Sequence, residues 1–154
     1  MKTLYGLRAQ KTESFALQEA FGVMDTPAQT SRLIYEFAER SKEFNNEVEN
    51  FLVVALNVRM KPVGIFHIAK GSVDTVYIHS RDVFRAGIAA NATQIILAHN
   101  HPTGVLSPSE ADLRITRELI SAGRLVKIPV ADHIIFCSRL SFSFRENNLL
   151  DFSH

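Results

Sequence analysis

His99 and His101 stand one residue apart, and Ser109 and Asp112 follow with two residues between them. Alternate positions of an extended chain project to one side, so both imidazoles can offer a nitrogen to the same ion. A carboxylate from a helix packed alongside completes a three-ligand set and leaves a fourth position for water. That is the pattern of a catalytic rather than a structural zinc. Ser109 lies about one turn before Asp112, and Asp112 shares its helix face with Ile115, Thr116 and Leu119. A carboxylate at the edge of an apolar face is costly unless it meets a charge or a metal.

Those side chains need elements to place them. Residues 94–98 (Gln-Ile-Ile-Leu-Ala) form a buried strand that delivers His99 to its carboxyl end, the end at which open α/β sheets bind ligands. Ser107 as N-cap, Pro108 at the first position and Glu110 three after Ser107 make a capping box for a helix over about 108–122, stopped by Gly123. Upstream, Thr26-Pro27 starts a helix with Leu33, Ile34, Phe37 and Ala38 at helical spacing, ended by the charged stretch 39–49. The unbroken apolar run 51–56 predicts a strand covered on both faces. Residues 57–62 turn the chain and 63–69 return as a hairpin.

Gly71-Ser72 breaks that hairpin, and 74–78 predicts a short extended piece. Ser80 caps a helix carrying Val83, Phe84, Gly87 and Ile88 and ending near Asn91. Residues 126–130 and 133–137 predict strands, and 140–144 one more. The first residues carry a short strand near 4–7 and no clear periodicity after it. The order is that of one α/β domain, a mixed sheet flanked by helices, over 26–154, with an N-terminal arm over 1–25.

The chain's 154 residues suffice for one domain with a real core. A net charge of +1 gives no strong basic field to speak for nucleic acid. The single cysteine, Cys137, excludes an internal disulfide and a cysteine-based zinc finger. No apolar run approaches the roughly 20 residues that span a bilayer, and the N-terminus lacks the apolar core of a signal peptide. A cytoplasmic protein is expected.

Spacing removes the competing metal motifs. A metallo-β-lactamase wants an aspartate two residues after the second histidine, where Thr103 stands. A zinc deaminase needs Pro-Cys-x-x-Cys, and the helical His-Glu-x-x-His string is absent. The letters His-Asn-His do not make an HNH nuclease, whose residues are widely separated in sequence.

The full string, His-x-His, seven residues, Ser, two residues, Asp, is met by His99, His101, Ser109 and Asp112 without a gap. It resembles the JAMM (MPN-plus) zinc metalloprotease motif. The surrounding Ile96-Leu97-Ala98-His99-Asn100-His101-Pro102-Thr103-Gly104, with Pro108-Ser109 and Asp132-His133, is similar to the RadC branch of that superfamily. The resemblance runs from about Thr26 to Phe144.

The resemblance implies a three-layer α-β-α domain with a mixed, curved central sheet, of the JAB/MPN, cytidine-deaminase-like kind. It implies Zn2+ held by His99, His101 and Asp112, Ser109 beside the developing oxyanion, and Glu49 as general base. Glu47 is the fallback for that base. The implied activity is hydrolysis of a peptide or isopeptide bond in a protein or peptide substrate, through a zinc-activated water. Asp132-His133 has no counterpart among the JAMM catalytic residues and reads as strand-end or supporting structure. No motif requires His67, and His79 and His154 taken singly read as structural.

Two rivals stand beside the hydrolase. The branch's "DNA repair" label suggests a role in binding or cutting DNA, which the charge opposes. Proteins of full length in that branch also carry a helix-hairpin-helix region for which this chain has no room. The other rival is a catalytically silent scaffold, against which an intact ligand set argues. Oligomeric state is not legible.

Overall fold

The computed structural model describes residues 20–71 and 77–153. The strand expected near 4–7, most of the extended piece at 74–78, and His154 lie outside the described residues. Helix α1 (Pro27–Arg40) begins at Thr26, which forms a capping box with Gln29. Strands β1 (Asn50–Leu56) and β2 (Pro62–Lys70) form the antiparallel hairpin. Helix α2 (Ser80–Ala89), strand β3 (Gln94–Asn100) and helix α3 (Glu110–Val126) follow. Strands β4 (Val130–Cys137) and β5 (Leu140–Ser143) close the fold.

The sheet order is β2-β1-β3-β4-β5, with β3 and β4 parallel and every other pair antiparallel. All of β1 is buried because alternate residues enter two cores. Phe51 and Val53 face Val83 and Phe84 of α2 and Leu119 of α3. Leu52, Val54 and Leu56 face Leu33 and Ile34 of α1. Helices on both faces of a mixed sheet make the α-β-α layering. Met24 is buried in the α1-side core, so the last residues of the 1–25 stretch pack onto the sheet. Among the described residues no helix is long and apolar enough to cross a membrane.

Four local expectations need correction. Helix α2 is capped by His79 rather than Ser80, with no side-chain cap bond. Gly123 does not stop α3, which runs on to Val126. The left-handed turn falls to Lys127 at φ 61°. Gly123 serves a close approach instead: a Cβ there would lie 2.7 Å from the Ile128 carbonyl and 3.2 Å from the Phe84 ring. Residues 126–130 are consequently the helix end and its turn, and one strand, β4, takes the rest.

The fourth correction concerns the start of α3. Its N-cap is Ser109, not Ser107, and the acidic partner of its capping box is Asp112, not Glu110. Two overlapping Ser-x-x-acid strings occur here, and each alone satisfies the local rule. The later one is used, and it places Asp112 beside the two histidines.

Candidate metal centre

Topology gathers the site at one end of the sheet's interior strands. Strands β3 and β4 end there, and antiparallel β1 begins there, with Phe51 opposite His99. His99 is the penultimate residue of β3 and His101 follows the strand, both buried. Gly104 at φ 85° turns the loop back, and the His101 Nδ1–H donates to the Val105 carbonyl. Helix α3 then presents Asp112 from its first turn.

His99 Nε2 lies 2.9 Å from His101 Nε2. Asp112 Oδ1 is 3.2 Å from the former and Oδ2 3.2 Å from the latter. Four atoms of three side chains converge on one point, a group able to hold a metal ion.

The hydrogen bonds around that point fix what it requires. The His101 Nδ1 proton is committed to the Val105 carbonyl, which leaves a lone pair on Nε2. For His99 the count begins at Thr116, whose hydroxyl donates to the Asp112 carbonyl. Thr116 Oγ1 can then only accept from His133 Nδ1, at 2.7 Å. His133 Nε2 in turn accepts from His99 Nδ1, at 2.8 Å. His99 Nε2 is thereby also a lone pair. Two lone pairs and a carboxylate facing one another inside the protein demand a cation.

The electrostatics agree. Burial alone would raise the Asp112 carboxyl, but hydrogen bonds with His101 and His99 hold it well below the usual carboxylate range. Burial opposes charge on His101, yet Asp112, the Val105 carbonyl and the Glu49 charge together raise it. Burial lowers His99, and pushes fully enclosed His133 well below 6.5. Of these groups His101 is the one shifted toward holding a proton, which a metal would have to displace.

Asp112 Oδ2 also accepts from the Ser109 N–H at 2.8 Å, while Ser109 Oγ accepts from the Asp112 N–H at 3.1 Å. That bond leaves the hydroxyl proton of Ser109 to donate elsewhere. Glu49 immediately precedes β1, is 8% exposed, and acts electrostatically on His101. Glu47, the fallback base, sits exposed in a turn rather than on a strand, because β1 starts only at Asn50.

His67 lies on β2 beside Phe44, with Glu43 Oε2 4.0 Å from Nδ1, and stands apart from the converging atoms. Asp132 is buried. Its Oδ1 accepts from the His133 and Arg145 N–H groups and its Oδ2 from the Ser143 hydroxyl, so it ties β4 to the turn after β5.

Sequence reasoning named Thr116 only as sharing the face of Asp112, and gave Asn50 and Asn100 no role. Thr116 follows Asp112 by four residues, a signal that it shares the face. Beside His101, a cleft of about 470 Å³ opens between α1 and the end of β4, lined by Tyr35, Asn100, Phe136, Cys137 and Arg139 among others.

A family model described as the RadC-like JAB domain matches residues 25–149. A UPF0758 protein of Caldanaerobacter subterraneus is 42% identical over 104 residues, covering 68% of this chain and 45% of its own length. One from Symbiobacterium thermophilum is 38% identical over 120 residues, covering 77% and 50%. One from Thermotoga maritima is 36% identical over 117 residues, covering 76% and 52%. The chain spans about half the length of these curated relatives, whose names state no activity.

Proposed function

Because this chain belongs to the RadC-like JAB domain family, we propose that it is a zinc-dependent hydrolase of the JAMM type, cutting a peptide or isopeptide bond. The observation that carries this reading is the convergence of Nε2 of His99, Nε2 of His101 and both Asp112 carboxylate oxygens on one point, with the Nδ1 atoms of both rings bonded away from it. His99, His101 and Asp112 would hold the zinc. Two nitrogens and one carboxylate leave the ion an open position, as catalytic zinc sites do. Bound there, the ion supplies Lewis acidity to a carbonyl oxygen and to water.

The chain's own residues supply the rest. Glu49 accepts a proton from the attacking water and returns it to the departing amine nitrogen as the C–N bond breaks. The Ser109 hydroxyl donates to the carbonyl oxygen as it gains negative charge. The cleft beside His101 receives the chain that carries the scissile bond. The domain over 26–154 carries all of these groups.

The test is turnover. Zinc-loaded protein is offered a panel of fluorogenic peptides and isopeptide-linked conjugates, with Glu49→Gln beside the wild type. Cleavage by the wild type and a loss of about 10²–10⁴-fold in a zinc-retaining Glu49→Gln is the expected result. Equal turnover in both overturns Glu49 as the base. A zinc-loaded wild type that cleaves nothing across the panel, yet binds DNA with a steep salt dependence, favours the nucleic-acid rival.

A further inference from the structure

The geometry points to His133, backed by Thr116, as a positioning pair that fixes His99 in the tautomer able to bind a metal through Nε2. The inference rests on the metal reading above and deepens it. A merely structural account is available for both residues. His133 is fully buried, stacked on Phe144 at 4.6 Å and edge-on to Phe51 at 5.6 Å, and Thr116 is a buried helix residue. What that account leaves unexplained is the direction of the hydrogen bonds.

The chain of bonds has one consistent set of proton positions. Thr116 gives its proton to the Asp112 carbonyl four residues back, a bond that helix geometry offers to any threonine. Its oxygen then faces His133 Nδ1 as an acceptor, so the one proton of neutral His133 sits on Nδ1. His133 Nε2 can only accept, and among the described residues the ring nitrogen that faces it is His99 Nδ1. His99 consequently turns its lone pair to His101 and Asp112. A single run of hydrogen bonds thus starts at the main chain of one ligand, Asp112, and ends on the ring of another, His99.

The backbone is shaped for this contact. In the parallel β3–β4 pairing the register shifts between Ile95 and Ile96, so that Val130 faces Ile95 but Asp132 faces Ile96. The extra residue restores phase in time to put His133 opposite Leu97, on the α2/α3 face of the sheet and two positions below His99. A regular ladder continued from the Val130–Ile95 pair would set His133 opposite Ala98, on the α1 face instead. Without the pair, a buried His99 Nδ1–H has no acceptor, and the ring is free to carry its proton on Nε2, where it blocks the metal.

The experiment is a zinc affinity measurement on the full chain, by competition with a fluorescent chelator, supported by the visible spectrum of the Co2+-loaded protein. Thr116→Val keeps the volume and removes the hydroxyl. His133→Phe keeps the ring stack and removes both nitrogens. Each is compared with its conservative partner, Thr116→Ser or His133→Gln, the latter still offering an oxygen to His99.

We expect affinity about 10- to 100-fold weaker for Thr116→Val and His133→Phe, and recovery to within a few-fold for Thr116→Ser. The cobalt bands should shift in the weakened variants and return with the rescue. Thr116→Val decides the matter if His133→Phe fails to fold. Wild-type affinity and an unchanged cobalt spectrum in folded Thr116→Val overturn the positioning role while leaving the metal site standing. A wild type that binds neither ion overturns the metal reading itself, and this inference with it.

Discussion

The side-chain oxygen of Asn100 accepts twice from Asn50, from its main-chain N–H at 2.7 Å and from its Nδ2 at 3.1 Å. Asn100 Nδ2 donates to the Val48 carbonyl at 2.9 Å, and Asn50 Nδ2 reaches the Asn45 and Val48 carbonyls at 2.7 and 2.8 Å. Asn100 is the residue between the two histidines, and Asn50 the residue after Glu49. The pair locks the loop that carries the proposed base to the strand end that carries the proposed ligands. Gly71 N–H holds the Glu49 carbonyl from the other side.

Replacing Asn100 with alanine should therefore injure the base more than the metal. Asn50 would keep a buried main-chain donor with no acceptor, destabilising the fold by about 1–3 kcal/mol. Urea unfolding reads that loss. Zinc affinity should stay near wild type while turnover falls, because Glu49 and not a ligand is unmoored. A variant that loses zinc and activity in proportion contradicts the clamp.

Ser109 caps α3 and is proposed to bond the oxyanion, and substitution can separate the two. As N-cap of α3 it steadies the helix, and Ser109→Ala should destabilise by about 1 kcal/mol. Glycine caps almost as well, within a few tenths of a kcal/mol, and has no side-chain donor. Ser109→Gly should keep the melting temperature near wild type without keeping turnover. Retention of both would show that the cap alone matters and that no hydroxyl acts on the oxyanion.

Acid should destabilise the metal-free protein. His133, His99 and His67 all lie below 6.5 in the fold, chiefly through burial. Between their folded values and about 6.5 the unfolded chain binds protons that the fold refuses, so stability falls as pH falls. His101 is raised and works in the opposite sense, contributing below about 6.5 and losing that contribution as pH rises through its folded value. Asp112 is lowered, and its contribution is lost only further down, below the ordinary carboxylate range. Fully enclosed His133, pushed well below 6.5, sets the expected net loss from pH 7.5 to pH 5 against His101 and the raised carboxyl of Asp132, which work in the opposite sense. Melting curves in chelator should show it, and a flat or rising melting temperature would contradict the buried neutral histidines.

The three converging residues were legible because each depends on local geometry. His99 and His101 share a side of an extended segment, and Asp112 shares a helix face with Thr116 and Leu119. The buried run of β1 and the Thr26-Pro27 helix start were legible for the same reason. What the chain hides is register. His133 becomes a neighbour of His99 only through the β3–β4 pairing and its one-residue shift, and Asn50 meets Asn100 only because β1 runs antiparallel to β3.

Two misreadings have a different origin, local rules that fit more than one place. Ser107 and Ser109 each have an acid three residues on, so the capping pattern alone could not choose between them. Gly123 reads as a helix stop because glycine often is one. Here its bareness serves the approach of Ile128 and Phe84, and Lys127 takes the positive φ. In both cases packing beyond the local window settled the outcome.

The most direct test is the metal content of the purified chain, measured by elemental analysis for the wild type beside Asp112→Ala. Asp112 supplies the only negative charge in the three-residue group, so its removal should abolish retention rather than trim it. The account predicts about one zinc per wild-type chain and none in the variant. A wild type that stays empty after zinc reconstitution, or a variant that keeps its zinc, would contradict it.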